Sequence, residues 1–182
     1  MTDRKDRRPT VLITGCSYGG LGFALSQAFT NAGYRVFATA RDPTKTATLN
    51  ESDGCEVLSL DVTSKESIDA CVTKFRSEIS DKGLNILVNN AGVGLTMPLL
   101  DTSIGDAKRM FDVNVWGMLA VTQAFAPLLI EAGGVVLNIS SVAGAVCMAW
   151  QGMYMISALP LSNHDKARIA TAWRSFGPVS LG

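Results

Sequence analysis

The 182-residue sequence predicts an α/β fold: a doubly wound parallel sheet of about five strands flanked by helices. Three observations carry this expectation. Short apolar runs rich in branched residues alternate with longer segments of helical period, as repeated βα units require. The stretch Thr14 to Gly22 (TGCSYGGLG) lies where the first such run gives way to the first helical pattern. Hydrophobic residues make up 47% and charged residues 18%, with 17 glycines, a balance suited to buried strands wrapped by helices and turns. A chain of this length buries roughly 70% of its unfolded surface, so one domain over residues 10–182 needs no linker.

The strands are expected at Thr10 to Thr14, Arg35 to Ala40, Cys55 to Leu60, Asn85 to Asn89 and Val135 to Ile139. Between the first two, Leu21, Ala24, Leu25, Ala28 and Phe29 share one face of a crossover helix that Gly33 closes. Ser64 can cap a second helix, in which Ile68, Cys71, Val72, Phe75 and Ile79 recur at helical spacing. A long helical region follows from about Ser103 to Ile130, its apolar face interrupted by Asn114. Pro160 would break a helix begun at Tyr154, because it lacks an amide hydrogen and its ring clashes with the Ile156 carbonyl. A last helix is expected from Asn163 to about Ser175, burying Ile169, Ala170, Trp173 and Phe176.

Lys plus Arg and Asp plus Glu both number 16, so there is no broad positive field to draw nucleic acid. The basic residues ahead of Pro9 read as a flexible, solvated arm over residues 1–9. Cys16, Cys55, Cys71 and Cys147 form no CxxC pair and no signal-peptide core opens the chain, which points to the cytoplasm; no metal site is expected. The apolar stretch Val113 to Ile130 contains Asn114, Gln123 and Pro127 and reads as a buried helix, not a membrane span. Peripheral association with membranes or lipid droplets stays open.

A glycine-rich turn between strand and helix lets the backbone approach a pyrophosphate, whose charge the free amides and helix dipole favour. At the end of the second strand Ala40 offers no carboxylate to ribose hydroxyls, whereas Arg41 offers a cation to an added phosphate. NADP(H) is therefore the expected cofactor; the competing reading pairs an exposed Arg41 with Asp42. Asp61 could accept a hydrogen bond from adenine or simply form a turn ahead of Ser64. The small residues of Asn89-Asn90-Ala91-Gly92 let the chain pass close to a ribose.

The glycine turn, LDVT at 60–63, NNAG at 89–92, the Asn of FDVNVWG at 111–117 and NISS at 138–141 follow one another in an order that resembles the short-chain dehydrogenases/reductases. The resemblance covers about Thr10 to Tyr154. TGCSYGGLG followed by VFATARDP is most similar to the branch of 1-acyldihydroxyacetone-phosphate reductases and 17β-hydroxysteroid dehydrogenase-like proteins, which suggests lipid or secondary metabolism. It implies a Rossmann-type sheet and hydride transfer between NADP(H) and a small-molecule carbonyl or alcohol. The implied cofactor residues are Ile13, Gly15, Ser17, Gly20, Gly22, Arg41, Asp61 and Asn90. Ser141 matches the serine that holds the substrate oxygen, Tyr154 the general acid, and Asn114 the residue supporting a proton-relay water.

One family element does not carry over: YxxxK is here Tyr154-Met-Ile-Ser-Ala158. A neighbouring ammonium favours the phenolate needed for alcohol oxidation, so Ala158 is expected to impair that direction more than ketone reduction, and the competing reading is a non-catalytic NADP(H)-binding or interaction protein. Lys166 is no simple substitute, since twelve residues of helix would carry it roughly 18 Å along the axis. His164 faces the same difficulty. The family pattern ends just past Tyr154, which predicts a missing or altered C-terminal part, as a frame shift or retained intron would give. The fifth strand would then be an edge, and self-association into a homo-oligomer is expected.

Overall fold

The five branched runs pair into one parallel sheet of order β3-β2-β1-β4-β5. They are β1 (Thr10–Ile13), β2 (Arg35–Ala40), β3 (Cys55–Ser59), β4 (Ile86–Asn89) and β5 (Val135–Asn138). This computed structural model describes residues 8–46, 49, 54–79, 83–146 and 149–158. Val11 stands opposite both Val36 and Ile86, while Ile13 stands between Ala38 and Val88. Strand order reverses between β1 and β4, so the connections leaving their carboxyl ends diverge and open a crevice there.

Alternation along the strands divides the core into two layers. On one face Leu12, Phe37, Leu58, Leu87 and Val136 meet α2 (Lys65–Glu78) and α4 (Met118–Ala132). Phe75 joins them edge-on, 4.5 Å from the Phe37 ring and 5.6 Å from that of Phe125. Each such buried ring contributes roughly 1.5–3 kcal/mol through area alone. Ser64 caps α2 as expected, its side chain accepting from the Ser67 amide. Ile68, Cys71, Phe75 and Ile79 are all buried.

The opposite face, with Val11, Ile13, Val36, Ala38 and Val88, meets α1 (Leu21–Asn31). Here the expected apolar face holds at Leu25 and Phe29, which pack against this layer, and is corrected elsewhere. Gly22, Phe23 and Ser26 are the buried residues, whereas Leu21 is 56% exposed and Ala24 and Ala28 also face outward. Close approach of α1 to the sheet favours small residues at 22 and 26. Ser26 tolerates burial because its hydroxyl donates to the Gly22 carbonyl at 2.8 Å. Gly33 does end the helix, with φ +84°.

The long helical region resolves into α3 (Ile104–Phe111), a π-helical turn (Asp112–Gly117) and α4, starting from a Ser103 cap whose Oγ accepts from the Asp106 amide. Gly117 is required: a Cβ there would stand 2.8 Å from the Val62 side chain. Together, Ile104–Ala132 has the length and hydropathy of a membrane span, but Val121, Phe125, Leu128 and Leu129 are buried against the sheet. A short α5 (Gly152–Ala158) follows β5, which is an outer strand of the sheet among the described residues.

At the start of the chain the structure narrows the predicted arm. The Arg35 amide donates to the Pro9 carbonyl at 2.9 Å and the Arg8 guanidinium lies against Gly54, so residues 8 and 9 are part of the domain. The helix expected from Asn163, with Lys166 and His164, falls outside the described residues, as do residues 1–7 and Cys147.

Candidate active site

The crevice at the carboxyl ends of β1 and β4 is held open by two glycines. Gly15 has φ +74°, and a Cβ on it would stand 2.8 Å from the Ala91 Cα. A Cβ on Gly22 would stand 2.5 Å from Asn90 Nδ2 and 2.6 Å from the Gly15 carbonyl. That close approach lets Asn90 clamp the turn: its Nδ2 donates to the carbonyls of Thr14 at 2.8 Å and Gly15 at 3.0 Å. The Thr14 hydroxyl returns the tie, accepting from the amides of Asn90 and Ala91. Gly19 takes φ +76° to close the turn, and Gly20 becomes the N-cap of α1, its own amide donating to the Ser17 carbonyl. The first amides of α1 thus face a cleft of about 610 Å³ lined by Gly15, Ser17, Gly20, Asp61 and Asn90.

Arg41, Asp42 and Lys45 line the same cleft. The Asp42 carboxylate does not pair with Arg41 in the described structure; it accepts from the Thr44 amide at 3.0 Å and hydroxyl at 2.6 Å, bonds that lower its pKa. The Asp61 pKa is lowered chiefly by hydrogen bonds from the Thr63 amide and hydroxyl, with the Arg41 charge a smaller cause. Asp61 therefore forms the turn ahead of α2 while still lining the cleft.

The cleft continues past Asn90, Ala91, Gly92 and Val93 into a cavity of about 190 Å³, where Asn114, Ser141 and Tyr154 come together with Ser157 and Ala158. Asn114 is 7% exposed and fixes the chain around it. Its Oδ1 accepts from the Val93 amide at 2.8 Å, and its Nδ2 donates to the Val93 carbonyl at 2.9 Å and Ser157 Oγ at 3.0 Å. The Ser157 hydroxyl in turn donates to the Tyr154 carbonyl at 2.8 Å. The π-helical turn delivers this amide sideways, tying the β4 loop to the helix that carries Tyr154. Ser141 ends the β5 segment and its Oγ accepts from the Ala143 amide at 3.2 Å. Ala158 is 4% exposed and packs against Gly144.

Residues 9–158 match the short chain dehydrogenase family. The chain belongs to that family. Among curated relatives, the short-chain dehydrogenase cctT of Talaromyces islandicus is 50% identical over 148 residues, covering 81% of this chain and 52% of the relative. The NADPH-dependent 1-acyldihydroxyacetone phosphate reductase of Schizosaccharomyces pombe is 36% identical over 151 residues, covering 83% of this chain and 50% of the relative. The chain thus spans about half the length of the curated relatives it matches. Among solved structures, a metagenomic short-chain oxidoreductase in complex with NADP aligns with TM-score 0.75 and 30% identity, over 84% of this chain and 71% of that one. The closed form of a serine dehydrogenase complexed with NADP+ aligns with TM-score 0.73 and 28% identity, over 84% of this chain and 62% of that one.

Within this family member, most residues singled out from the sequence gather along one continuous crevice, and two do not line it. Ile13 is fully buried between β2 and β4, and its carbonyl accepts from the Cys16 thiol at 3.3 Å, so it supports the turn from below. Gly22 lies under the cleft as a spacer for Asn90. Lys45 escaped sequence reasoning. It comes from a 3-10 turn, Pro43–Thr46, folded back so that the Tyr18 amide donates to the Lys45 carbonyl at 2.8 Å. Its sequence signal was only Pro43 after Arg41-Asp42, enough to suggest a turn but not its direction. Among the described residues no group of three or more His, Cys, Asp or Glu side chains could hold a metal. Burial raises the thiol pKa of Cys55 to about 11 and of Cys71 to about 12, which keeps both protonated and unreactive.

Proposed function

We propose that this chain is the nucleotide-binding and catalytic part of an NADP(H)-dependent ketone reductase. The observation that carries the reading is the meeting of Asn114, Ser141 and Tyr154 in a cavity continuous with the glycine cleft. The residues present fit the cofactor. Gly15, Gly22 and the α1 N-terminus leave room and amide donors for a pyrophosphate, while Arg41 and Lys45, with Ala40 between strand and cation, suit a phosphorylated ribose. Asp61 would face the adenine from the third strand.

Reduced nicotinamide, when bound, supplies the hydride that becomes the new C–H bond at the carbonyl carbon. The chain's own residues handle the oxygen. Ser141 Oγ donates a hydrogen bond to it, and the Tyr154 O–H bond breaks as its proton passes to the developing alkoxide. A phenol in its neutral form can give that proton without prior ionisation. Asn114 positions the pair by holding the Val93 strap against α5, with one carbonyl lone pair left to support a relay water.

NADPH consumption with a panel of ketones tests this. Tyr154→Phe is expected to lower turnover by ~10²-fold or more while leaving NADPH binding intact. Equal turnover by the variant would reject Tyr154 as the acid, and saturable NADPH binding with no ketone reduced by the unmodified chain would reject the reductase reading.

A further inference from the structure

One buried side chain at the Tyr154 cavity has no part in the proton transfer itself. Ser157, next to the last residue of α5, is fully buried and lines the cavity with Asn114, Ser141 and Tyr154. Its hydroxyl sits inside a run of hydrogen bonds that all point one way. The Val93 amide donates to Asn114 Oδ1 at 2.8 Å, Asn114 Nδ2 donates to Ser157 Oγ at 3.0 Å, and Ser157 Oγ donates to the Tyr154 carbonyl at 2.8 Å. Serine suits that place because a hydroxyl accepts and donates at one atom. Bonds in such a run polarise one another, so each strengthens the next.

The run matters because of where it ends. α5 has only seven residues, and a helix so short keeps its place through contacts with its surroundings. On the β5 side, a Cβ on Gly144 would stand 2.9 Å from the Ala158 carbonyl, to which Ser140 Oγ donates at 3.5 Å. On the β4 side, Ser157 makes the tie. The strap at Val93 continues into Gly94, and a Cβ there would lie 4.0 Å from Tyr154 Cδ2. Strap, Asn114, Ser157, Tyr154 backbone and Tyr154 ring therefore close a loop of contacts on themselves. Removing one hydroxyl opens it, leaves an Asn114 N–H buried without a partner, and frees α5 to shift against Ser141. Misplacing a reacting group by about 1 Å can cost ~10²-fold in rate.

We propose that Ser157 is a positioning residue for the reduction: held by Asn114 and holding the Tyr154 carbonyl, it fixes how far the phenol stands from the oxygen that Ser141 binds. This rests on the reductase reading above. Ser157 acts through Asn114 and the Tyr154 backbone, and touches none of the reacting atoms.

The test is NADPH oxidation with acetophenone, ethyl acetoacetate and diacetyl, with NADPH affinity measured separately by fluorescence titration. Ser157→Ala should lower kcat by about 10-fold or more, leave NADPH affinity unchanged, and raise the solvent deuterium isotope effect on kcat as proton transfer from a misplaced phenol slows. Ser157→Thr, whose hydroxyl can still reach the carbonyl three residues back, should restore most of the lost turnover, and Ser157→Cys, a weaker hydrogen-bonding group, should fall between the two. In an Asn114→Ala background, Ser157→Ala should cost less than about 2-fold, since the link it breaks is already gone. A merely structural serine would lower Tm and leave kcat and the isotope effect unmoved well below Tm. That result, a fall in kcat matched by a fall in NADPH affinity, or an undiminished loss in the Asn114→Ala background would each overturn the role of Ser157 and leave the reductase reading standing. An unmodified chain that binds NADPH and reduces none of the three ketones would overturn both.

Discussion

The glycine cleft and the Tyr154 cavity share the segment Asn90 to Val93, yet they are finished to different degrees. In the cleft, close backbone contacts at Gly15 and Gly22 and reciprocal hydrogen bonds between Thr14 and Asn90 leave no slack. At the cavity, Asn114 and Ser157 are equally well bonded, but Val142, next to Ser141, stands exposed. The cleft is thus shaped by backbone contacts, whereas the cavity is lined by side chains as well.

The sharpest way to break this comparison is on the cleft side. Gly22→Ala would force a methyl into the space used by Asn90 Nδ2 and the Gly15 carbonyl. The clamp on Thr14 and Gly15 should open, costing about 2–4 kcal/mol of stability and lowering NADPH affinity by ~10²-fold. Thermal unfolding with and without NADPH reads both losses, and an unchanged affinity would show that the turn does not shape the nucleotide site.

A middle-sized effect is expected where cavity and cleft meet. Ala158→Lys would bring an ammonium to the wall of the Tyr154 cavity, favouring the phenolate. Alcohol oxidation with NADP+ near neutral pH should rise ~10-fold or more and its pH profile move to lower pH, while ketone reduction changes less. A pH–rate profile in both directions decides it; unmoved oxidation would mean that the cation cannot reach the phenol.

The smallest effect lies at the cleft mouth. Arg41→Ala should weaken NADPH about 10-fold and leave NADH nearly unchanged, because a cation facing a phosphate supplies charge-assisted bonds that NADH never makes. Equal losses for the two nucleotides, by fluorescence titration, would return Arg41 to a role beside Asp61 alone.

What the sequence disclosed follows the same division. Each strand begins and ends within about one residue of its expectation, because branched runs bounded by turn residues leave few other pairings. That Asn114, Ser141 and Tyr154 would meet near the glycine turn was legible because their motifs sit at strand ends and helix starts. The buried face of α1 was not, since hydrophobic pattern gave weight to Leu21 and Ala28, whereas contact distance selected Gly22 and Ser26. Lys45 was illegible for a related reason. It reaches the crevice through an irregular segment whose direction is set by a single backbone hydrogen bond, from the Tyr18 amide to the Lys45 carbonyl, that no periodicity announces.

The π-helical turn at Asp112–Gly117 has a consequence for how this stretch can change. An i→i+5 turn holds one more residue than an α-turn, so everything after it is rotated by about 100° from the course of an uninterrupted α-helix. α3, before it, packs on α5; α4, after it, packs on the sheet. Losing a single residue there would remove no essential apolar group, yet it would put the two helices out of phase. Either Asn114 would swing away from Val93 and Ser157, or Phe125 and Leu128 would swing off the strands. Apart from Asn114 and Gly117, the stretch should therefore tolerate exchanges of side chain far better than any change in its length.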